Sequence, residues 1–427
     1  MKFELMHPRD QLVVLMKRLY ENKLTNLSGG NLSILDENGD IWITPTGIDK
    51  GNLRPEDILR VRPDGTIEGL HRVTTELPFH VAILKRRSDI NAVVHAHTPS
   101  LVSFSFIRQV PETKIIPQAH RICGPIGIAP YAIPGSEQLG ENMADTFAKG
   151  YDIVILENHG VAAGGKNIFE AVNRLETLAF CAATQIQAQR IGNVHLLSDS
   201  QLEDFAASKS DYDTFSPPSP GSIELDLRKQ MIRITHRSCR QTLMTSLEGE
   251  ISTRVSENAF LTTPNGKDRR MIETEDLVLI KDGKRESGKH PGRNVRLHQA
   301  IFEKNPDVQC IITTQPPNMM AYAVSDAEFS SRLIPESYVL LGDLTKLPFE
   351  MTHKAPEKAA EKISLKKPFA IVENDCLVVV GDEIIRTFDR LEVADFTAWA
   401  LIDTQSIGKP ATISEKNIQA LEKKFLS

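Results

Sequence analysis

The stretch Val93-Val94-His95-Ala96-His97 ends an apolar run, and a second apolar run, Ile153 to Leu156, leads into Asn158-His159-Gly160. Side chains two positions apart on a β-strand lie on the same face, so His95 and His97 can direct their rings to one point. His159, at the end of a neighbouring strand, would add a third imidazole. Three histidines leave one coordination position open, which catalytic zinc requires. The two runs therefore predict adjacent strands that end at a metal site.

One acidic residue, Glu76, precedes a segment that could hold it beside this predicted cation. From Leu77 to about Arg87 the apolar side chains keep helical spacing, so Glu76 is expected where a helix begins. A carboxylate next to a Lewis acid can move a proton to or from a carbon beside a carbonyl group. We therefore predict that Glu76 is the acid/base of the site.

The composition limits the classes of protein to consider. The chain has 427 residues, more than one hydrophobic core usually organises, so two domains are expected. A net charge of -6 with scattered basic residues argues against nucleic acid or membrane as the main partner. The five widely spaced cysteines predict neither a disulfide framework nor a cysteine zinc site. Without an apolar run of membrane-spanning length or a signal-peptide core, the chain is expected to be cytoplasmic.

The sequence consists of two related halves. Thr44-Pro45 recurs as Thr263-Pro264, and Glu56-Asp57 recurs as Glu275-Asp276 in the same order. A repeat of this length indicates a duplicated domain, because solenoid units are much shorter. The segment around Pro217-Pro218 has the composition of a linker. We predict a first domain over residues 1–200, a linker over 201–222 and a second domain over 223–427.

Each half is predicted to combine short strands with packed helices. Asn38-Gly39 and Asp64-Gly65 are hairpin signals between short strands. Helical spacing is found from Gln11 to Glu21, and a long helix from Asn167 is expected to end before Gly192. This pattern predicts an α+β domain or a three-layer α/β/α domain around a mainly antiparallel sheet.

The second half keeps turn and core residues but loses every proposed site residue. If the histidines were ordinary core residues, they would be expected to change one at a time to similar residues. Loss of the whole set is expected when only the first half binds a metal. The replacements are His95 by Thr313, His97 by Gln315, His159 by Asp375 and Glu76 by Asn294.

Five motifs in the first half occur in an order that resembles the class II aldolase/adducin family. They are Gly30-Asn31-Leu32-Ser33, Thr44-Pro45-Thr46-Gly47, Thr74-Thr75-Glu76, His95-Ala96-His97 and Asn158-His159-Gly160. The resemblance implies an α/β, three-layer α/β/α class II aldolase-like domain with a mainly antiparallel central sheet. This domain would be present twice, with a degenerate second copy that lacks the metal ligands.

The resemblance also implies the roles of individual residues. His95, His97 and His159 correspond to the zinc ligands of the family, and Glu76 corresponds to its acid/base. The donor set also admits Mn2+, Fe2+ or Co2+ in place of Zn2+. Hydroxyl groups and glycine backbone N–H groups can donate to phosphate oxygens. The residues at the family's phosphate site are Gly30, Asn31, Thr46, Gly47, Thr74 and Thr75.

The resemblance implies that the protein is a lyase that would cleave a phosphorylated ketose through a zinc-stabilised enediolate. The products would be dihydroxyacetone phosphate and an aldehyde. Aldolases of this family use a tyrosine from the loop after the histidine pair, but the sequence has no tyrosine between Tyr20 and Tyr131. Decarboxylation of a phosphorylated acid sugar at the same site is therefore one alternative, and a non-catalytic, adducin-like binding module is another.

The expected partners follow from the same comparison. A small phosphorylated sugar is the predicted substrate, and neither nucleic acid nor membrane is an expected partner. The family assembles around a four-fold axis. Two chains with two domains each could close such a ring, so we predict a homodimer that contains four domains.

Overall fold

The computed structural model describes residues 3–208 and 212–426. The chain folds into two compact units. Unit 1 comprises Met1–Thr113 and Gln118–Ala183, and unit 2 comprises Lys114–Pro117 and Thr184–Ser427. None of the helices in the described ranges is both long enough and apolar enough to cross a bilayer.

Unit 1 is built around an eight-stranded sheet. Neighbouring strands are antiparallel except for one parallel pair, β6 with β7, and the order across the sheet is β4-β3-β2-β1-β5-β8-β7-β6. The strands are β1 Asn31–Leu35, β2 Ile41–Ile43, β3 Leu59–Val61, β4 Ile67–Glu68, β5 Ala92–Ala96, β6 Ile126–Ala129, β7 Ile153–Leu156 and β8 Gly160–Gly165.

Helices cover both faces of this sheet. They are α1 Pro8–Glu21, α2 Leu77–Arg86, α3 Pro99–Phe106, α4 Pro117–Cys123, α5 Glu137–Ala148 and α6 Ile168–Ile191. On one face, Phe79 of α2 and Phe147 of α5 pack with Val93 and Val154 of the sheet. Towards the other face, α1 contacts β1, and Arg18 of α1 forms an ion pair with Glu176 of α6. The unit is therefore three layers deep.

Unit 2 repeats this arrangement around a nine-stranded sheet, in the order β15-β16-β17-β14-β10-β11-β12-β13-β9. Its strands are β9 Thr214–Phe215, β10 Glu250–Ser256, β11 Ala259–Thr262, β12 Val278–Lys281, β13 Lys284–Glu286, β14 Cys310–Thr314, β15 Thr345–Leu347, β16 Phe369–Val372 and β17 Cys376–Gly381. Its helices are α7 Asp199–Ala207, α8 Ser222–Arg240, α9 Val295–Lys304, α10 Pro317–Ala323, α11 Pro335–Leu341, α12 Met351–Lys354, α13 Pro356–Ala360, α14 Ile384–Thr404 and α15 Glu415–Phe425.

The strand registers of the two units correspond. Asn31 of β1 faces His95 of β5, and in the same way Glu250 of β10 faces Thr313 of β14. A buried contact also recurs, because Ser33 Oγ lies 2.7 Å from His80 Nδ1 and Ser252 Oγ lies 2.6 Å from His298 Nδ1. The prediction of a three-layer α/β/α fold with a mainly antiparallel sheet, present twice, is confirmed.

The two compact units do not coincide with the predicted domains, whose boundaries stay a prediction. The compact units divide between Ala183 and Thr184, inside α6, and not at residue 200. The predicted linker, 201–222, contains most of α7 and all of β9, which pairs in parallel with β13. Proline and serine content marks irregular backbone, but it does not reveal that two residues will extend the edge of a distant sheet. Residues 209–211 of this range lie outside the described residues.

Candidate metal centre

Four side chains predicted to form the site meet in unit 1. The ligand atoms of Glu76, His95, His97 and His159 all lie within 4.8 Å of one another. No second cluster of this kind occurs in the part of the chain that the structure describes. The structure therefore brings the three histidines and the glutamate together at one point.

Strand pairing explains this convergence. His95 belongs to β5 and His97 follows its last residue, while His159 lies in the turn between β7 and β8. Because β5 pairs with β8, this turn lies beside the end of β5. Glu76 stands directly before α2, whose first turn begins at Leu77.

A glycine makes the close approach of these segments possible. A β-carbon at Gly160 would lie 2.7 Å from the carbonyl oxygen of Ala96 and 3.2 Å from Cε1 of His95. Neither distance leaves room for a side chain at the start of β8. Gly160 thus allows the His159 turn to lie against the end of β5.

Hydrogen bonding sets the tautomer of His95. Its Nδ1 lies 3.0 Å from the carbonyl oxygen of Val161, which can only accept, so Nδ1–H is the donor. In the neutral ring Nε2 then carries the lone pair, and it lies 3.0 Å from Nε2 of His97. A backbone carbonyl behind a metal-binding histidine is the usual orienting partner.

The spacing of the donor atoms fits a divalent cation. Glu76 Oε1 lies 3.0 Å from His159 Nε2 and 3.4 Å from His95 Nε2. Ligands at tetrahedral zinc, with bonds of about 2.0–2.1 Å, are separated by about 3.4 Å. Imidazole nitrogens and a carboxylate oxygen are donors that divalent transition metals accept. The four residues could therefore hold such an ion.

Electrostatics favour the metal-binding forms of two of these side chains. Burial alone would raise the pKa of Glu76, but the charge that His95 carries when protonated, and hydrogen bonds from His159, from this protonated ring and from Asn31, hold it well below its usual range. Burial and the charges of His95 and His159 lower the pKa of His97 to about 4. At neutral pH, Glu76 is therefore a carboxylate and His97 carries no charge.

Two of the residues predicted to bind phosphate are engaged with Glu76. Asn31 Nδ2 donates to Glu76 Oε2 over 2.6 Å and to Thr74 Oγ1 over 3.1 Å. Thr74 Oγ1 also accepts from the backbone N–H of Glu76. Both side chains are buried. Asn31 and Thr74 thus orient the carboxylate of Glu76 in this structure.

The other four residues predicted to bind phosphate lie on the adjoining loops. Gly30 is buried, Thr46 is half-buried, and Gly47 and Thr75 are exposed. Gly30 and Gly47 have φ angles of 70° and 72°, which favour glycine because a side chain is strained there. Whether these loops hold a phosphate stays a prediction.

Sequence analysis did not identify Lys50, a side chain with only 1% of its surface exposed. The backbone N–H of Lys50 donates to the carbonyl oxygen of Leu27, and its Nζ donates to that of Pro45. Lys50 therefore joins the loop before Gly30 to the loop that carries Thr46. The available signal was the recurrence of a cation, Arg269, at the matching position of the second half.

The matching position in unit 2 contains a closed polar network. Arg293 forms ion pairs with Asp375 at 2.5 Å and with Glu248 at 3.1 Å. The backbone N–H of Asn294 donates to Glu250, and its side-chain amide donates to Thr313 Oγ1. An internal cation and carboxylates therefore replace the histidine cluster of unit 1.

This network leads to a prediction of pH-dependent stability. Burial raises the pKa of Glu250 from its ordinary value of 4.5 to about 7, although the charge of Arg293 lowers it. Between pH 4.5 and about pH 7, the folded chain thus keeps this proton, whereas the unfolded chain has lost it. The protonated Glu250 stabilises the folded state fully below pH 4.5. As the pH rises towards 7, the free energy of unfolding falls by about 3 kcal/mol. Glu250→Gln should remove this loss.

Urea unfolding of the full chain at pH 5 and pH 7.5 tests the prediction, with hydrogen exchange of β10 assigning the transition to unit 2. Wild type should lose more stability than Glu250→Gln between the two pH values. Glu257→Gln, at an exposed carboxylate that follows β10, is the matched control. Equal losses in wild type and Glu250→Gln would contradict the prediction.

Both halves of the chain match the model of one known family. Residues 10–186 and again residues 229–402 match the model of the class II aldolase and adducin N-terminal domain. The 5-deoxy-D-ribulose 1-phosphate aldolase of Bacillus thuringiensis serovar kurstaki is 33% identical over 211 residues, which cover 48% of this chain and 96% of that protein. The L-fuculose phosphate aldolase of Methanocaldococcus jannaschii is 34% identical over 171 residues, covering 40% and 91%.

This chain is also similar to a protein whose name gives a decarboxylase reaction and not an aldolase reaction. The 3-oxo-tetronate 4-phosphate decarboxylase of Escherichia coli is 28% identical over 174 residues, covering 40% of this chain and 82% of that protein. Among solved structures, an L-fuculose 1-phosphate aldolase aligns with a TM-score of 0.42 and 31% identity, covering 46% of this chain and 92% of that one.

Proposed function

The chain belongs to the class II aldolase and adducin family, and from this premise we propose that unit 1 is a zinc-dependent lyase that cleaves a phosphorylated ketose. The products are dihydroxyacetone phosphate and an aldehyde. The observation that carries the proposal is the convergence of Glu76 with His95, His97 and His159 within 4.8 Å. Relatives named as sugar-phosphate aldolases support the substrate class.

The three histidines are the proposed metal ligands. A bound divalent cation would act as a Lewis acid toward the carbonyl and adjacent hydroxyl oxygens of the ketose and stabilise negative charge there. Three neutral nitrogen donors suit zinc with an open position for substrate, and manganese, iron and cobalt are the alternatives.

Glu76 is the proposed acid/base. In cleavage, one carbon–carbon bond breaks. It joins the hydroxyl-bearing carbon next to the ketone to the following carbon. The hydroxyl proton of the departing fragment passes through water to the Glu76 carboxylate, so that fragment becomes the aldehyde, and the bonding pair stays on the other fragment as an enediolate. Glu76 delivers a proton to the enediolate carbon to complete dihydroxyacetone phosphate, and removes that proton in synthesis. Asn31 holds Oε2 of Glu76, while Oε1 faces His159 and His95.

The substrate phosphate is assigned to the three loops beside Glu76. Their glycine N–H groups and threonine hydroxyls are donors that suit phosphate oxygens. This assignment retains all six residues named from the sequence, which are Gly30, Asn31, Thr46, Gly47, Thr74 and Thr75. Asn31 and Thr74 would then serve both the carboxylate and the phosphate.

A decarboxylase of a phosphorylated acid sugar is the second candidate. Its enediolate is the same, and carbon dioxide leaves in place of the aldehyde, so the tyrosine missing between Tyr20 and Tyr131 is not needed. The similarity to a 3-oxo-tetronate 4-phosphate decarboxylase supports this candidate.

Product identity separates the two candidates. The full chain, with its metal content measured, is incubated with ketose 1-phosphates and with phosphorylated acid sugars, and dihydroxyacetone phosphate and carbon dioxide are followed in parallel. Dihydroxyacetone phosphate from a ketose 1-phosphate supports the aldolase, and carbon dioxide alone supports the decarboxylase. Absence of bound metal and of both products would overturn both and favour the adducin-like binding module.

The second unit is proposed to serve assembly. Two chains would supply four domains to one ring, so the protein should be a homodimer. Light scattering should give the mass of two chains, and a stable monomer would contradict it. A cytoplasmic location stays a prediction, supported by five buried cysteines that are all free thiols.

A further inference from the structure

Lys50 is the only buried lysine among the described residues. A lysine ammonium has three N–H donors, and full burial of this side chain is rare unless it is paired. Within the described ranges, the carbonyl oxygen of Pro45 is its one hydrogen-bond acceptor. The charge of Lys50 is therefore buried with little internal compensation.

The hydrogen bond from Lys50 fixes one peptide of the loop from Thr44 to Gly47. The Pro45 carbonyl points to Lys50, and the N–H of Thr46, which points the opposite way in a trans peptide, donates to the carbonyl oxygen of Arg72 over 3.2 Å. The Pro45–Thr46 peptide is thus held between Lys50 and Arg72, in the loop whose Thr46 hydroxyl and Gly47 N–H are assigned to phosphate. In a low-dielectric interior the charge of Lys50 acts strongly across this short distance.

Unit 2 shows what a buried cation at this position needs. Arg269 occupies the corresponding position, and the charges of Glu250 and Glu248 oppose the effect of its burial. Glu250 stands where unit 1 has the neutral Asn31. Unit 2 therefore buries the carboxyl group of Glu250 at the position where unit 1 has the amide of Asn31.

Glu76 supplies only part of the missing negative charge in unit 1. Burial lowers the pKa of Lys50 to about 8, although the charge of Glu76 raises it. The carboxylate of Glu76 already accepts from Asn31 and faces His159 and His95. Lys50 remains mostly protonated at neutral pH, and a ligand anion would complete its compensation.

We infer that Lys50 is the positioning residue that makes the Thr44–Gly47 loop selective for a phosphate dianion. It acts by fixing the Pro45–Thr46 peptide and by placing a positive charge beside the loop. The identity of the anion as the phosphate of a sugar rests on the proposed function. Selectivity for phosphorylated over unphosphorylated ketoses would then depend on Lys50.

Lys50→Gln keeps a donor for the Pro45 carbonyl and removes the charge, whereas Lys50→Arg keeps the charge. Calorimetric titration of the full chain with inorganic phosphate, with and without metal, measures the anion site without turnover. Lys50→Gln should weaken phosphate binding by about tenfold, and Lys50→Arg by much less. Lys149→Gln, at an exposed lysine of unit 1, is the matched control.

Steady-state kinetics with phosphorylated and unphosphorylated substrates measure a difference that a purely structural role of Lys50 would not produce. Lys50→Gln should raise KM for the phosphorylated substrate by about tenfold, with a smaller effect on kcat and on the unphosphorylated ketose. Equal effects on both substrates, or phosphate binding equal to wild type, would overturn the inference. Phosphate binding that depends on Lys50 without any lyase or decarboxylase activity would overturn the proposed function and retain the anion site.

A measurement on the wild-type protein covers the case in which Lys50→Gln does not fold. In protein labelled with 15N-lysine, the Nζ signal of Lys50, assigned by its absence from Lys50→Arg, should shift when phosphate is added. A signal that does not respond at saturating phosphate would overturn the inference.

Discussion

Glu76→Gln is expected to lower kcat by about 10²- to 10⁴-fold, the range for loss of a general acid/base, with little change in metal content. The amide has nearly the shape of the carboxylate but cannot accept or deliver the proton. His95 keeps its place, because it is oriented by the Val161 carbonyl and does not depend on Glu76 for its position.

Two measurements separate loss of proton transfer from loss of the site. Metal analysis should find the same content in Glu76→Gln and wild type. Exchange with D2O of the dihydroxyacetone phosphate proton that Glu76 removes should stop in the variant. Glu141→Gln, at an exposed carboxylate of α5, should exchange at the wild-type rate. A variant that retains a tenth of wild-type exchange would contradict the role of Glu76.

His97→Gln is expected to weaken metal binding by about a hundredfold or more, because it removes one of three nitrogen donors. Glutamine is the residue that unit 2 carries at this position, Gln315, where its amide donates to the backbone oxygen of Asp375. The fold thus accepts glutamine here. Activity should fall with metal content and recover in part when excess metal is added.

Competition with a chromophoric chelator measures the affinity, and elemental analysis measures the metal content. His290→Gln, which replaces an exposed histidine in unit 2, should leave both unchanged. If His97→Gln bound one metal ion with wild-type affinity, His97 would not be a ligand.

The sequence alone predicted the elements that carry the site. The helix predicted from Leu77 to about Arg87 is observed as Leu77–Arg86, and the long helix predicted from Asn167 is observed as Ile168–Ile191. Both have apolar residues at helical spacing, and a local pattern of this kind needs no knowledge of distant contacts. The strand that ends at His95 and His97 was predicted from its apolar run, which is also a local pattern.

The extent of each unit could not be predicted in this way. The strand Thr214–Phe215 has two residues and pairs with Arg285 and Glu286, far along the chain. Local composition indicated a linker because no signal in a short polar segment identifies its distant partner. The division inside α6 has the same origin, since one continuous helix can belong to two compact units.

By itself, the sequence determined the duplicated fold and the residue types of the candidate metal centre, since hydrophobic periodicity and motif spacing are local properties. Only the tertiary structure decided which other groups these residues contact. Only packing places the amide of Asn31 on Glu76, the Val161 carbonyl behind His95, and the ammonium of Lys50 behind the Pro45 peptide. The first two contacts join residues far apart in the chain, whereas Lys50 and Pro45 are five positions apart. Burial gives all three their strength because water no longer competes for the same donors and acceptors.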